Sequence, residues 1–280
     1  MTRGSGLRRA GRQVETWIGT LGFAATELVA RDVTDQVAAG RVLVLAPHPD
    51  DETLACGASI ARLIGSGGSV AVAVATDGAQ GNHHVPPAEL ALVRRAELAS
   101  AVAALGLDPH QVSWLGFDDG GLGAAVDPLA DRVGELVASF RPTIVLAPWA
   151  HDTHADHAAL GRAARTATAG SDVALLEYVV WAWTDPLHLL RDRLRHRPPA
   201  AGRGPGRRVL RRPVRVRAGD YLEVKVSALS AHRSQLGPSA TQLGLPPGDG
   251  PLGAPILRRF LGPVELFTPS GAALPRPGRP

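Results

Sequence analysis

One cysteine, Cys56, stands in 280 residues, so no disulfide can close within the chain, which fits a reducing compartment. Long apolar runs are also missing. None approaches the ~20 residues of a membrane-spanning helix, and no signal-type apolar stretch follows the basic start MTRGSGLRRAGRQ. A cytoplasmic location is the expectation. Lysine is nearly absent: Lys225 is the only one among 30 basic residues, a bias of GC-rich coding sequences that enriches Arg, Ala, Gly and Pro without a functional cause. No internal repeat is visible. The basic surplus is local, with eleven arginines and one acid between Arg191 and Arg217 and a net negative remainder. A general nucleic-acid-binding surface is therefore not the first reading.

From residue 41 onward, short β-branched runs alternate with longer helical patterns. The runs are Val42–Ala46, Val70–Thr76, Val112–Gly116 and Thr143–Ala147, with a further one from Ala174 to Trp183. Continuous apolar stretches bounded by Gly, Pro or Asp suit strands buried on both faces of a parallel sheet. Helical patterns fall near 55–65, 87–106, 127–140 and 155–169, the third with Asp127 as cap and Pro128 in its first turn. This alternation predicts an α/β fold, a Rossmann-like open, mainly parallel sheet with helices on both faces. Residues 1–40 read as an N-terminal extension and 41–280 as a single domain. Within it, the Arg/Pro/Gly-rich stretch 191–220 reads as a loop insertion, and its most Pro/Gly-rich part, 198–212, as a mobile one. A last helical pattern covers Tyr221–Gln235, and the Gly/Pro-rich tail beyond 236 resists assignment.

In open α/β sheets, ligands sit beyond the carboxyl ends of the strands. The first strand runs there into Pro47-His48-Pro49-Asp50-Asp51-Glu52, one imidazole and three carboxylates whose like charges repel unless a cation compensates them. The fourth leads to His151-Asp152-Thr153-His154-Ala155-Asp156-His157, where His154 and His157, three apart on a helix, can face one way. If the two strands are neighbours, two imidazoles and a carboxylate make a three-ligand metal site of the open, catalytic type. A spare carboxylate there can take a proton from water, and a spare imidazole can polarise a carbonyl or protonate a leaving amine.

APHPDDE (46–52) followed by THADH (153–157) resembles the PIG-L/LmbE-like N-acetylglucosaminyl deacetylases, zinc hydrolases that act on N-acetylglucosaminyl groups. The resemblance runs from about 41 to 185 and returns at 225–235. It implies that His48, Asp51 and His157 bind Zn2+, with Fe2+ or Co2+ as other divalent candidates. It further implies that Asp50 is the general base and that His154 stabilises the oxyanion or acts as general acid. Asp156 would orient one of the imidazoles. Arg94, in an Arg-x-x-Glu pattern ending at Glu97, and Asp119, in the acidic loop 117–121, would bind the sugar. His232 and Gln235 would lie on a helix packed against the site.

The activity so implied is removal of an acetyl group from an N-acetylglucosaminyl sugar or sugar conjugate, with release of acetate and a free amine. The partner is then a small N-acetylated sugar or glycoconjugate. Two other readings stand beside it. One is an amidase cleaving a larger acyl amide of a sugar conjugate. The other is a catalytically silent binding protein whose basic segment meets anionic lipid headgroups or nucleic acid. The sequence names neither the substrate nor the oligomeric state.

Overall fold

The computed structural model describes residues 22–82, 84–184 and 212–275. Eight strands form one sheet: β1 (Arg31–Asp32), β2 (Arg41–Ala46), β3 (Ser69–Thr76), β4 (Val112–Phe117), β5 (Ile144–Pro148), β6 (Ala174–Tyr178), β7 (Val214–Arg217) and β8 (Val264–Gly271). Their order is β1-β7-β8-β6-β5-β2-β3-β4. The five strands from β6 to β4 run parallel, and β8 alone is antiparallel to its neighbours β6 and β7. The mainly parallel α/β sheet expected from the alternating pattern is the one observed.

Each central strand feeds two cores. In β2, Val42, Val44 and Ala46 join one apolar cluster while Leu43 and Leu45 join the other; β5 divides in the same way, Ile144 and Leu146 against Val145 and Ala147. Side chains alternate across a strand, so burial on both faces needs an unbroken apolar run. On the first face lie α3 (Asp51–Gly65), α4 (Pro87–Ala104) and α7 (Leu222–Leu229). On the second lie α5 (Val126–Phe140) and α6 (Ala155–Ala167). The shorter helices are α1 (22–29), α2 (Thr34–Ala38) and α8 (Ala254–Phe260).

After β2 the sheet grows first toward β3 and β4, then on the other side toward β5 and β6. The order of connection reverses between β2 and β5, which pair directly through Val42↔Ile144 and Val44↔Leu146. Ligand crevices of open sheets form at such a reversal. The motifs after β2 and β5 are thus brought to the same crevice.

Four expectations change. Within 191–220, residues 214–217 are a sheet strand, not loop: Val214 and Val216 are buried while the arginines between and after them point outward. The rest of that stretch, up to 211, lies outside the described residues, and so does most of 198–212. The C-terminal end of the 1–40 extension is built into the body, with β1 paired to β7 and Val33 and Val37 buried. Asp127 does not cap α5, which begins one residue earlier and leaves it in the first turn. A carboxylate there still faces the positive helix end. The run Ala174–Trp183 ends as a strand at Tyr178 and turns into a short 3-10 helix at Trp181–Thr184.

Candidate active site

The loop after β2 is anchored before it reaches its acids. Thr76, the last residue of β3, donates its N–H and its hydroxyl to the Pro47 carbonyl, both at 3.0 Å. Asp50 precedes α3 with φ 150° and ψ −27°, a conformation costing ~1–3 kcal/mol for a residue with a Cβ. Its carbonyl opens the helix by accepting from Leu54 N (2.8 Å), and its N–H donates to Glu52 Oε2 (3.1 Å). Such strain persists only where surrounding bonds over-determine it.

The loop after β5 is held by Asp152, whose Oδ1 accepts from His154 N (3.3 Å) and whose Oδ2 accepts from Val180 N (3.1 Å) and Trp181 N (3.2 Å). His154 is the N-cap of α6, its Nδ1 accepting from Asp156 N at 3.3 Å. The helix crosses β5 at very short range. A Cβ on Gly161 would lie 2.4 Å from the Pro148 carbonyl oxygen and 2.6 Å from Ala150 N, so only glycine permits this approach.

The two loops then interlock. Asp51 Oδ2 lies 3.3 Å from His48 Nδ1 and 3.3 Å from His157 Nε2. On its other edge, His48 Nε2 meets Asp119 Oδ1 at 3.1 Å and Asp156 Oδ2 at 3.3 Å. Asp156 is itself fixed by Gly120 N (2.7 Å) and Leu122 N (3.2 Å), and it is fully buried. The neighbouring acids Asp50 and Asp51 part company. Burial pushes Asp50 up to about 7 even though Arg94 beside it pulls the other way. Burial acts on Asp51 in the same sense, but His157 and His48 overcome it and hold this carboxyl at about 2. Burial lowers His157 and favours its neutral ring, whereas Asp119, Asp156 and Asp51 outweigh burial at His48 and raise it well above the usual imidazole range.

His157 is fully buried, and neither of its ring nitrogens has a hydrogen-bond partner. Leaving such a group unpaired is costly. Two overlapping sets, His48/Asp51/His157 and His48/His154/Asp156, bring their ligand atoms within 4.8 Å of one another and could hold a metal ion. The first set fits better. It contains the unpaired imidazole, and its carboxylate is free of backbone donors other than His48 N (3.2 Å), whereas two N–H groups occupy Asp156.

Arg94, expected to meet the sugar, is enclosed at the site and engaged by the protein. Its guanidinium is 3% exposed and donates to Gly78 O (2.9 Å), Pro49 O (3.0 Å) and Asp50 Oδ1 (3.2 Å). Gly78 makes room for it: at φ +69° a Cβ would sit 2.1 Å from its Nη1. Asp119 lies at the site but is engaged by His48 and by Gln80 N (2.7 Å). His232 is buried beside the acid loop, 3.4 Å from Thr53 Oγ1 and 3.5 Å from Glu52 Oε1, while Gln235 is buried and bonds Ser234. Glu97 accepts from Ser234 N (2.7 Å) and Oγ (2.6 Å), tying α4 to this segment. Sequence reasoning gave no role to Asp152 or Glu52. For both, the sign was an acid within two residues of a turn or helix start.

Residues 43–168 match the family model described as PIG-L, GlcNAc-PI de-N-acetylase. A 1D-myo-inositol 2-acetamido-2-deoxy-alpha-D-glucopyranoside deacetylase of Saccharomonospora viridis is 32% identical over 229 residues, 70% of this chain and 85% of that protein. The chain belongs to the PIG-L/LmbE-like family. A deacetylase of the same description from Kineococcus radiotolerans is 32% identical over 149 residues, covering 42% of this chain and only 41% of its own length. The N,N'-diacetylchitobiose deacetylase of Pyrococcus horikoshii shares the fold, with TM-score 0.59 and 22% identity over 85% of this chain and 87% of that one. Among the described residues, no helix is long and apolar enough to cross a membrane.

Proposed function

We propose that this PIG-L-family chain hydrolyses the acetamide of an N-acetylglucosaminyl sugar or conjugate, using a divalent metal, zinc first, held by His48, Asp51 and His157. The unpaired, fully buried His157 beside the shared Asp51 carboxylate carries this reading, because a cation satisfies both imidazole and carboxylate at once. A zinc ion bound there supplies Lewis acidity toward a carbonyl and toward water.

The remaining roles fall to this chain's own groups. Asp50, next to the ligand Asp51 and held by Arg94, accepts the proton of the attacking water as general base. His154 uses Nδ1 as acceptor for Asp156 N, which leaves the ring proton on Nε2. That N–H donates a hydrogen bond to the developing oxyanion; to protonate the departing amine, His154 would have to be the imidazolium, whose Nδ1 no longer accepts from Asp156 N. Asp156 and Asp119 hold the His48 ring, and Arg94 fixes the Asp50 carboxylate together with the backbone just before it. Arg94 is thus a positioning residue. The names of the relatives support an N-acetylglucosaminyl substrate.

The test is a panel of N-acyl glucosamines and their conjugates, scored by amine release with zinc and with chelator. Acetyl preference and loss of turnover in chelator are expected. Preference for longer acyl chains would favour the amidase reading, and no amine release at any metal loading would overturn both.

A further inference from the structure

Asp50 stands at the N-cap of α3 yet makes no side-chain cap bond. An aspartate there ordinarily turns its carboxylate onto the N–H groups of the first helical turn. In that state its oxygens are engaged and the site has no free acceptor for a proton. The backbone of Asp50, at φ 150°, lies outside the extended conformation that such a cap needs. Glu52 holds it there. Fully buried in the first turn of α3, its side chain turns back and Oε2 accepts from the N–H of Asp50 at 3.1 Å.

The other Glu52 oxygen is filled by the Thr53 hydroxyl at 2.5 Å and by His232 Nε2 at 3.5 Å. His232 is also fully buried, and its Nδ1 makes no hydrogen bond, so its polar edge is the one turned to Glu52 and Thr53. The turn that carries His232 is tied to α4 where Glu97 accepts from Ser234. Arg94 and Glu97 are three apart on α4 and share a face. That face therefore reaches Asp50 by two routes. Arg94 meets the carboxylate directly, and Glu97 acts through Ser234, His232 and Glu52 on the backbone N–H.

We propose that Glu52, locked by His232, is a positioning residue that keeps Asp50 out of the capping conformation and its carboxylate available to the reaction. The inference rests on the deacetylase reading, which makes Asp50 the base. Without Glu52 the strained residue relaxes, its carboxylate caps α3, and the water loses its proton acceptor. The ligands His48, Asp51 and His157 keep their own contacts.

In the zinc-loaded full chain, Glu52→Ala and His232→Ala should keep one zinc and a little-changed KM while kcat falls by ~10–10²-fold, the cost of misplacing a reacting group. Glu52→Gln still offers an oxygen to Asp50 N, and His232→Gln puts an amide nitrogen near the place of Nε2. Both should recover most of the loss. In an Asp50→Asn background Glu52→Ala should cost nothing further, because its effect passes through the Asp50 carboxylate. Equal losses in the two backgrounds, or a fall in kcat that tracks zinc content, overturns the proposal. If Glu52→Ala does not fold, the His232 variants in the same two backgrounds decide. If the parent releases no acetate, the deacetylase reading fails, and crystal structures of the parent and Glu52→Ala decide the positioning claim. Asp50 turned onto the first-turn N–H groups in the variant upholds it, and an unmoved Asp50 sinks it.

Discussion

Two buried ionic clusters sit along the same helix, α3, and they are built on opposite principles. At its N-terminal end, His48, Asp50, Asp51 and His157 crowd together with a strained backbone and a buried imidazole that makes no hydrogen bond, with the Asp51 carboxylate 3.3 Å from its Nε2. In its middle, Lys225 Nζ meets Glu265 Oε1 at 2.7 Å with both side chains inaccessible. Glu265 there also accepts from Ala58 N and Ser59 N, each at 2.9 Å, and from Ser59 Oγ at 2.5 Å. Each side-chain polar atom of the second cluster has a partner within the protein. The first leaves needs open, and that incompleteness is what a binding site requires. A satisfied buried network fixes one arrangement, whereas an unsatisfied one waits for a ligand.

The largest effect should come from Asp51, the carboxylate between the two imidazoles. Asp51→Ala should lose stoichiometric zinc and turnover together, as metal analysis and an amine-release assay would show. Activity surviving without metal would remove the distinction between the clusters.

Asp50→Asn should keep its zinc while kcat falls by ~10²–10⁴, the usual contribution of a positioned base. It should also change stability in a signed way. In the folded, metal-free protein the Asp50 carboxyl is raised from 3.8 to about 7. Its contribution is therefore fully present below pH 3.8 and is lost as pH rises through about 7. In chelator, Asp50→Asn should raise Tm relative to the parent at pH 8 and give no gain near pH 4. An equal shift at both pH values contradicts the assigned environment.

The satisfied cluster should respond in stability instead. Lys225→Met leaves Glu265 buried without its cation and should cost ~3–5 kcal/mol. Glu265→Leu should cost more than Lys225→Met, because it also strands two N–H groups, a hydroxyl and an ammonium. Chemical denaturation measures both, and zinc stoichiometry of the folded fraction should stay at one. A large loss of zinc affinity would show that the clusters are not independent.

The smallest effect belongs to Arg94, which links the acid loop to α4. Arg94→Ala should lower kcat/KM by ~1.5–3 kcal/mol, through kcat with KM little changed, because its bonds go to Asp50 and the backbone. A loss confined to KM would return Arg94 to a sugar-contacting role.

The incomplete cluster was the more legible of the two in the sequence. His48-Pro49-Asp50-Asp51 and His154-Ala155-Asp156-His157 are dense in reactive groups and follow apolar runs, so composition and position both mark them. The satisfied cluster leaves no such mark. Lys225 and Glu265 are 40 residues apart, and they meet because β8 returns antiparallel into the sheet, where Glu265 pairs with Val216 of β7. That return was itself hidden by a Gly/Pro-rich tail. β7 was masked in the same way, because Val214-Arg-Val-Arg217 continues an arginine-rich stretch and its period of two is only four residues long. The enclosure of Arg94 was hidden for a related reason. An arginine on a helical pattern reads as surface, and only the three-dimensional position of Gly78 and Asp50 shows it enclosed.

The claim that the first cluster holds a divalent cation is tested most directly by calorimetric titration of zinc into chelator-stripped protein, beside His157→Ala. One equivalent should bind to the parent with release of protons, since the raised His48 must shed its proton to become a ligand. The variant, which lacks the unpaired imidazole, should bind far more weakly. Absence of a saturable site in the parent, or equal affinity in the two proteins, would contradict the account.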